Sequence, residues 1–268
     1  MQARLIQRSV TLGNCQIAYR QSVSLSTATP ILFLHGWGIS AEPYHEILDL
    51  LAASHPVIAP DLPSFADSHY PHRLETYEEY AGWILAFLEE INTPSVHIMG
   101  HSFGGGIAIA LAALHPTVIK SVTLIGSTGI PLGWLPEILL RRSLEMPLQL
   151  YPPKFYLQFG EIPRVFAHNL LFNLPNVVQA LWLSTQVDLR HLLPKIQAPV
   201  LLLWSEKDLT ALLPVAQEMK NLIPAAQLVT VPEGYHEWVL LYPEKFTAIA
   251  LDFVKTQETY RPVEASSI

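Results

Sequence analysis

SVHIMGHSFGGGIAIALAALH, residues 95–115, is the stretch whose reading decides the fold. SVHIM is a short apolar run of the kind that forms a buried strand. GGGIAIALAALH is apolar nearly all round, as a helix in the middle of a core would be. GHSFGG lies between them and puts Ser102 at a tight turn from strand to helix. Such a turn forces the serine into a strained backbone conformation and lifts its Oγ clear of the sheet. Gly100 and Gly104 flank it where a Cβ would crowd the turn. A helix starting at Phe103 aims its unbonded N–H groups, and its positive end, at the same spot. Ser102 is therefore the candidate nucleophile, if the chain also supplies a base, an acid and an oxyanion site.

Similar runs recur on both sides: ILFL (31–34), PVIAP (56–60), SVTLI (121–125), PVLLLW (199–204) and AQLVTV (226–231). Near-continuous apolar runs of this length fit parallel strands covered on both faces. Helical patterns alternate with them. ETYEEYAGWILAFLEEI (75–91) carries acids in its first turn, where the helix dipole favours them. PEKFTAIALDFVKT (243–256) puts Phe246, Ile249, Ala250 and Phe253 on one face. The order predicts an α/β fold, a doubly wound and mostly parallel sheet with right-handed crossovers. LIQRSVTLG and CQIAYRQS alternate as two antiparallel strands in front of it.

The rhythm breaks after Ile125. Residues 130–188 hold no clean strand and are rich in proline, leucine and aromatics, which predicts several short helices broken at prolines. The segment is too long for a loop in a compact domain. A helical cap at 130–188, inserted between core segments 1–129 and 189–268 of one catalytic domain, is the expected organisation. The tail after Thr256 is expected to be loose.

Composition narrows the function. The net charge of -7 argues against a nucleic-acid partner, because phosphate binding needs a basic surface. The single cysteine, Cys15, leaves no internal disulfide. Residues 91–119 carry no charge, but Pro94 and Gly104–Gly106 break them, so no membrane span is expected. MQARLIQRSV lacks the apolar stretch of a secretory signal, so a cytoplasmic protein is expected. No metal-ligand cluster is visible, and neither metal nor cofactor is expected.

A serine needs a base, and eleven histidines are available. Alternation keeps His97 and His101 on the strand or in the turn, away from Oγ. His236, in EGYHEW, follows the last strand run. The C-terminal ends of parallel strands converge on one edge, so His236 would meet Ser102 there. The base needs an orienting carboxylate. Asp208, in WSEKDLT, follows PVLLLW at the same edge; Glu206 sits too close to the strand end, and Asp188 lies where the cap rejoins. FLHGWG (33–38) follows the first parallel strand, and its glycines allow close backbone approach. The N–H groups of Trp37 and Phe103 are the candidate oxyanion donors. Asp61, in PDLP, is expected to satisfy loop N–H groups.

With these motifs the sequence resembles the α/β-hydrolase superfamily over nearly its whole length. HGWG matches the family's oxyanion loop, GHSFGG its nucleophile elbow, and WSEKD and GYH the places of acid and histidine. An HGWG loop also occurs in the pimeloyl-carrier methyl ester esterases. Three departures stand out. Ser64 and Ala66 replace glycines in PDLPSFADS, Tyr235 stands between Gly234 and His236, and Ser205 replaces the usual glycine before the acid loop.

The cap speaks to substrate. Trp134, Phe155, Phe159, Phe166, Phe172 and Trp182 are candidates to line an apolar tunnel or mouth for an acyl or isoprenoid chain, and residues 165–187 carry no charge. Arg141 and Arg142 are placed to touch a polar head group. The leading expectation is a serine esterase, lipase-like, acting on a small-molecule ester with a lipophilic part, with peripheral membrane contact through the cap. A carbon–carbon bond hydrolase with the same three groups, an aminopeptidase and a non-catalytic ligand receptor are the alternatives.

Overall fold

Six apolar runs and two alternating N-terminal segments, four to eight residues long, form the strands of one eight-stranded sheet. The structure, a computed structural model, describes residues 5–24, 26–63, 65–70, 73–149 and 161–259. β1 (Leu5–Leu12) and β2 (Cys15–Ser22) make an antiparallel hairpin that turns on Gly13, whose φ is +58°. β3 (Ile31–Leu34), β4 (Val57–Pro60), β5 (Val96–His101), β6 (Ile119–Ile125), β7 (Val200–Ser205) and β8 (Ala226–Val231) follow. The order across the sheet is β1-β2-β4-β3-β5-β6-β7-β8, and every pair from β4 to β8 is parallel.

Helices cover both faces. α2 (Tyr77–Glu90) and α3 (Phe103–Leu114) pack on one, and α1 (His45–Ala52) on the other. α2 begins with a capping box: Glu79 N–H donates to the Thr76 hydroxyl, and Thr76 N–H donates to the Glu79 carboxylate, each at 3.1 Å. Residues 103–112 of α3 are all buried, which explains its nearly all-apolar sequence.

The chain leaves the sheet after β6 for α4 (Leu135–Gln149), α5 (Glu161–Phe172) and α6 (Leu174–Gln186). Leu132 N–H donates to Thr185 C=O and Leu189 N–H to Gly129 C=O, so this helical insertion departs and returns at one place. The expectation of short, proline-broken helices needs correction. The three helices have 15, 12 and 13 residues. Pro136, Pro163 and Pro175 occupy first turns, where a missing N–H costs nothing, and among the described residues of the insertion only Pro147 falls late in a helix. After β7, α7 (Leu213–Leu222) crosses to β8, and α8 (Trp238–Leu241) and α9 (Pro243–Thr259) end the fold. α9 runs three residues past the expected start of the tail.

This topology brings distant loops together. The winding direction reverses between β3 and β5, where ligands bind in open α/β sheets. Leu34 is paired with Gly100, so the loops after β3 and β5 emerge side by side. Ser205 is paired with Val231, and the loops after β7 and β8 emerge together on the same edge.

Candidate active site

Ser102 has φ 52° and ψ −115°, a conformation that L-residues rarely adopt. Backbone bonds hold it there: its N–H donates to Ile125 C=O at 2.9 Å, and its C=O accepts from Gly105 N–H at 2.9 Å and Thr128 N–H at 3.1 Å. A Cβ on Gly100 would collide with the Gly104 carbonyl, and one on Gly104 with the carbonyls of Leu34 and His35. The strained serine and its glycines are one construction.

Ser102 Oγ lies 2.9 Å from His236 Nε2, and His236 Nδ1 lies 2.8 Å from Asp208 Oδ2. A carboxylate only accepts, so Nδ1–H donates to Asp208 and Nε2 is left to accept from the serine hydroxyl. His236 and Asp208 are both 3% exposed. Burial pulls the imidazole pKa down, but the Asp208 and Glu237 carboxylates outweigh it and hold it above the ordinary histidine value. Burial raises the Asp208 carboxyl, a shift that His236 opposes. The other oxygen of Asp208 accepts N–H bonds from Thr210 and Ala211. The rival acids are occupied elsewhere: Glu206 accepts from Thr230, and Asp188 pairs with Arg190.

The loop after β3 is fixed through His35. Leu62 N–H donates to its Nε2 at 2.9 Å, so its Nδ1–H donates to Gly36 C=O, at 2.8 Å. Burial lowers the His35 pKa to about 4, which keeps the ring neutral at pH 7. The Gly36 carbonyl and the Trp37 N–H belong to one planar peptide. Anchoring the first therefore aims the second. Phe103 opens α3, and its N–H is among the first four that no helical turn satisfies.

His101, which alternation set aside, joins these loops. Its Nε2–H donates to His236 C=O at 3.1 Å, and its Nδ1 accepts from the Tyr44 hydroxyl at 2.7 Å. Tyr44 in turn accepts from Gly36 N–H at 3.2 Å. Burial lowers the His101 pKa to about 3. Ser205, one of the three departures, also has a use: its hydroxyl accepts from Lys207 N–H and donates to Gly234 C=O, tying the acid loop to the histidine loop. Ala66 has a positive φ, 48°, and its N–H donates to the Asn169 side chain. Ser64 lies outside the described residues. Asp61 accepts from Ala41 N–H at 2.9 Å, the loop-satisfying place expected for it.

A model of the alpha/beta hydrolase family matches residues 31–249. The protein belongs to that family. A pimeloyl-acyl-carrier protein methyl ester esterase of Neisseria meningitidis serogroup C is 28% identical over 257 residues, 88% of this chain and 98% of that protein. The structure of a putative lipase from Acinetobacter baumannii superposes with a TM-score of 0.81 at 26% identity, over 96% of this chain and 93% of that one. That of a membrane phospholipase A, a bacterial virulence factor, gives 0.80 at 25%, over 96% and 87%.

Among the described residues, the aromatics of the inserted helices do not form one wall. Phe166 packs edge-on against Trp37, with ring centroids 5.4 Å apart. Trp134, Phe172 and Trp182 are 72%, 73% and 56% exposed, too open to wall a closed tunnel. Phe155 and Phe159 lie outside the described residues. Arg141 donates to Leu132 C=O through Nη2 and leaves Nη1 without a described partner, whereas Arg142 is paired with Glu145 and Glu237. Glu145, Gln149 and Glu237, none of them singled out by the sequence, are buried around it. Among the described residues no metal-ligating cluster occurs, and no helix is long and apolar enough to cross a membrane.

Proposed function

We propose that the protein is a serine carboxylester hydrolase for an ester with a lipophilic part, with Ser102 as nucleophile, His236 as general base and acid, and Asp208 as the orienting carboxylate. The observation that carries this reading is the unbroken line of hydrogen bonds from Asp208 through His236 to a strained, half-buried Ser102. Ser102 Oγ attacks the ester carbonyl while Nε2 takes its proton. The N–H groups of Trp37 and Phe103 hold the oxyanion. His236 returns the proton to the departing alcohol, and an acyl group remains on Ser102. Water then attacks with the same base, and the carboxylic acid leaves.

The lipophilic part of the reading rests on the cap. Among the described residues, eleven of the fourteen exposed large hydrophobic side chains lie between Trp134 and Trp182. α4 is inside out: it buries Ile138, Glu145 and Gln149 and exposes Leu139, Leu140, Leu144 and Leu148. An outward apolar face on a helix that spends its polar side chains inward suits contact with a lipid surface. The esterase and lipase names of the similar proteins agree with ester chemistry.

The test is a series of p-nitrophenyl esters from acetate to palmitate, below any micelle threshold. An acyl site gives a kcat/KM that climbs by roughly fourfold per buried CH₂, about 0.8 kcal/mol each, and then flattens. A monotonic fall from acetate ends the lipophilic reading.

A further inference from the structure

The carboxylate of Glu145 is completely buried, although it comes from α4 in the cap. Its Oε1 accepts two backbone bonds, from Leu209 N–H at 2.9 Å and from His236 N–H at 3.0 Å. Its Oε2 accepts from the Thr210 hydroxyl and from Arg142, the latter at 3.0 Å. Leu209 and Thr210 directly follow Asp208. One carboxylate thus bonds the loop of the acid and the backbone of the base at the same time. Four donors converge on it, which is the full capacity of two carboxylate oxygens.

Other braces reach one of these loops each: His101 Nε2–H donates to His236 C=O, and Trp204 Nε1–H to Ala211 C=O. β7 and β8 end at the pair Ser205 and Val231, so the two loops beyond are outside the ladder. Below, Ser205 links them through Gly234. Above, α4 does so with side chains three and four residues apart. Arg142 reaches Glu145 and Glu237, and Gln149 accepts from Glu237 N–H at 3.0 Å. Residues 142, 145 and 149 share one helical face, so a single element of the cap grips both loops.

We infer that Glu145 is a positioning residue for the reaction at Ser102, holding His236 in line between Asp208 and the serine; this rests on the reading of those three as the reacting groups. In consequence α4 stays seated on the core through turnover. Glu145 touches neither the serine nor the ester. Its removal leaves two buried N–H groups unpaired, and the loops shift to find partners.

The experiment uses the full chain with p-nitrophenyl butyrate and compares Glu145→Ala, Glu145→Gln and Glu145→Asp, with Ser102→Ala alongside. Displacements of about 1 Å near reacting groups cost about 100-fold in rate. Glu145→Ala is expected to lower kcat by about that factor while KM stays within about twofold. Glu145→Gln is expected to recover part of the loss, because its amide oxygen still accepts both backbone N–H groups while its NH₂ gives up the bond from Arg142. Glu145→Asp keeps the charge but sets it back by one methylene, and is expected to lose about tenfold in kcat. The downfield NMR resonance of the His236–Asp208 proton should persist in Glu145→Gln and move or vanish in Glu145→Ala.

A Glu145→Ala enzyme with wild-type kcat overturns the inference. So does a Gln variant as slow as the Ala variant, or a loss confined to KM. If Glu145→Ala does not fold, the Asp variant decides: reduced kcat with an unchanged KM supports positioning, and unchanged kcat refutes it. Activity surviving in Ser102→Ala is a different failure, that of the proposed nucleophile.

Discussion

Ser102 owes its reach to a backbone conformation that its neighbours enforce, and its proposed chemistry to two loops that arrive from elsewhere in the chain. Ser102→Ala is expected to remove esterase activity by about 10⁶-fold and to abolish labelling by an organophosphonate, checked by mass spectrometry of the labelled peptide. Labelling of another serine would displace it. Asp208→Asn is expected to keep the fold and lower kcat by about 10³- to 10⁴-fold, since an amide favours the wrong imidazole tautomer. Glu206→Gln, whose parent side chain bonds Thr230 on the neighbouring strand, should leave kcat almost unchanged. The pair of rate constants distinguishes the two acids. His35 tests the oxyanion loop. Its ring anchors the Gly36 carbonyl and so aims the Trp37 N–H. His35→Ala is expected to lower kcat by about 10- to 100-fold, no more than the loss of one oxyanion donor, with little change in KM. A larger change in KM than in kcat would mean that the loop binds substrate instead.

At the scale of elements, the sequence disclosed what repeats and hid what is paired only in space. Each run from ILFL to AQLVTV forms a strand within one or two residues of its expected bounds, because strands covered on both faces are apolar throughout. The places of Ser102, His236 and Asp208 along one sheet edge follow from strand order, and so could be anticipated. α4 could not. Leucine is most often a core residue, yet those of α4 face out, while Glu145 and Gln149 point inward to backbone N–H groups. Backbone donors carry no signature in sequence, so an inward glutamate looks like any solvated one. His101 was missed for a related reason: its partners are a carbonyl and a tyrosine from other loops. Two glycines give the element scale a paired prediction. Gly104→Ala drives a Cβ into the backbone of β3 and is expected to destabilise by about 3 kcal/mol. Gly82, exposed in the middle of α2, has open space around it, and Gly82→Ala is expected to stabilise by about 0.5–1 kcal/mol. Urea midpoints of the two variants should move in opposite directions.

At the scale of the whole molecule, buried titratable groups of opposite habit set how stability follows pH. His35 and His101, held at about 4 and about 3, bind protons more weakly folded than unfolded. They cost stability as pH falls below about 6.5. Asp61 works the other way. Burial, helped by Asp67 and opposed by the Ala41 N–H and by Arg20, raises its pKa from 3.8 to about 6. Its stabilising contribution is therefore full below about pH 4 and is lost as pH rises through about 6. Above that the fold carries a buried carboxylate that accepts from the backbone N–H groups of Ala41 and Asp67. Asp61→Asn keeps an acceptor for Ala41 and removes the charge. The variant is expected to be more stable than the wild type at pH 8, by up to about 3 kcal/mol, the equivalent of the raised pKa. The advantage should shrink between pH 6 and pH 4 and disappear below, because the wild-type carboxyl is then neutral as well. Urea unfolding of both proteins at pH 8, 6, 5 and 4 gives the difference directly. A variant less stable than the wild type at pH 8 would mean that the Asp61 charge is used in the fold, through the Ala41 and Asp67 N–H groups and Arg20.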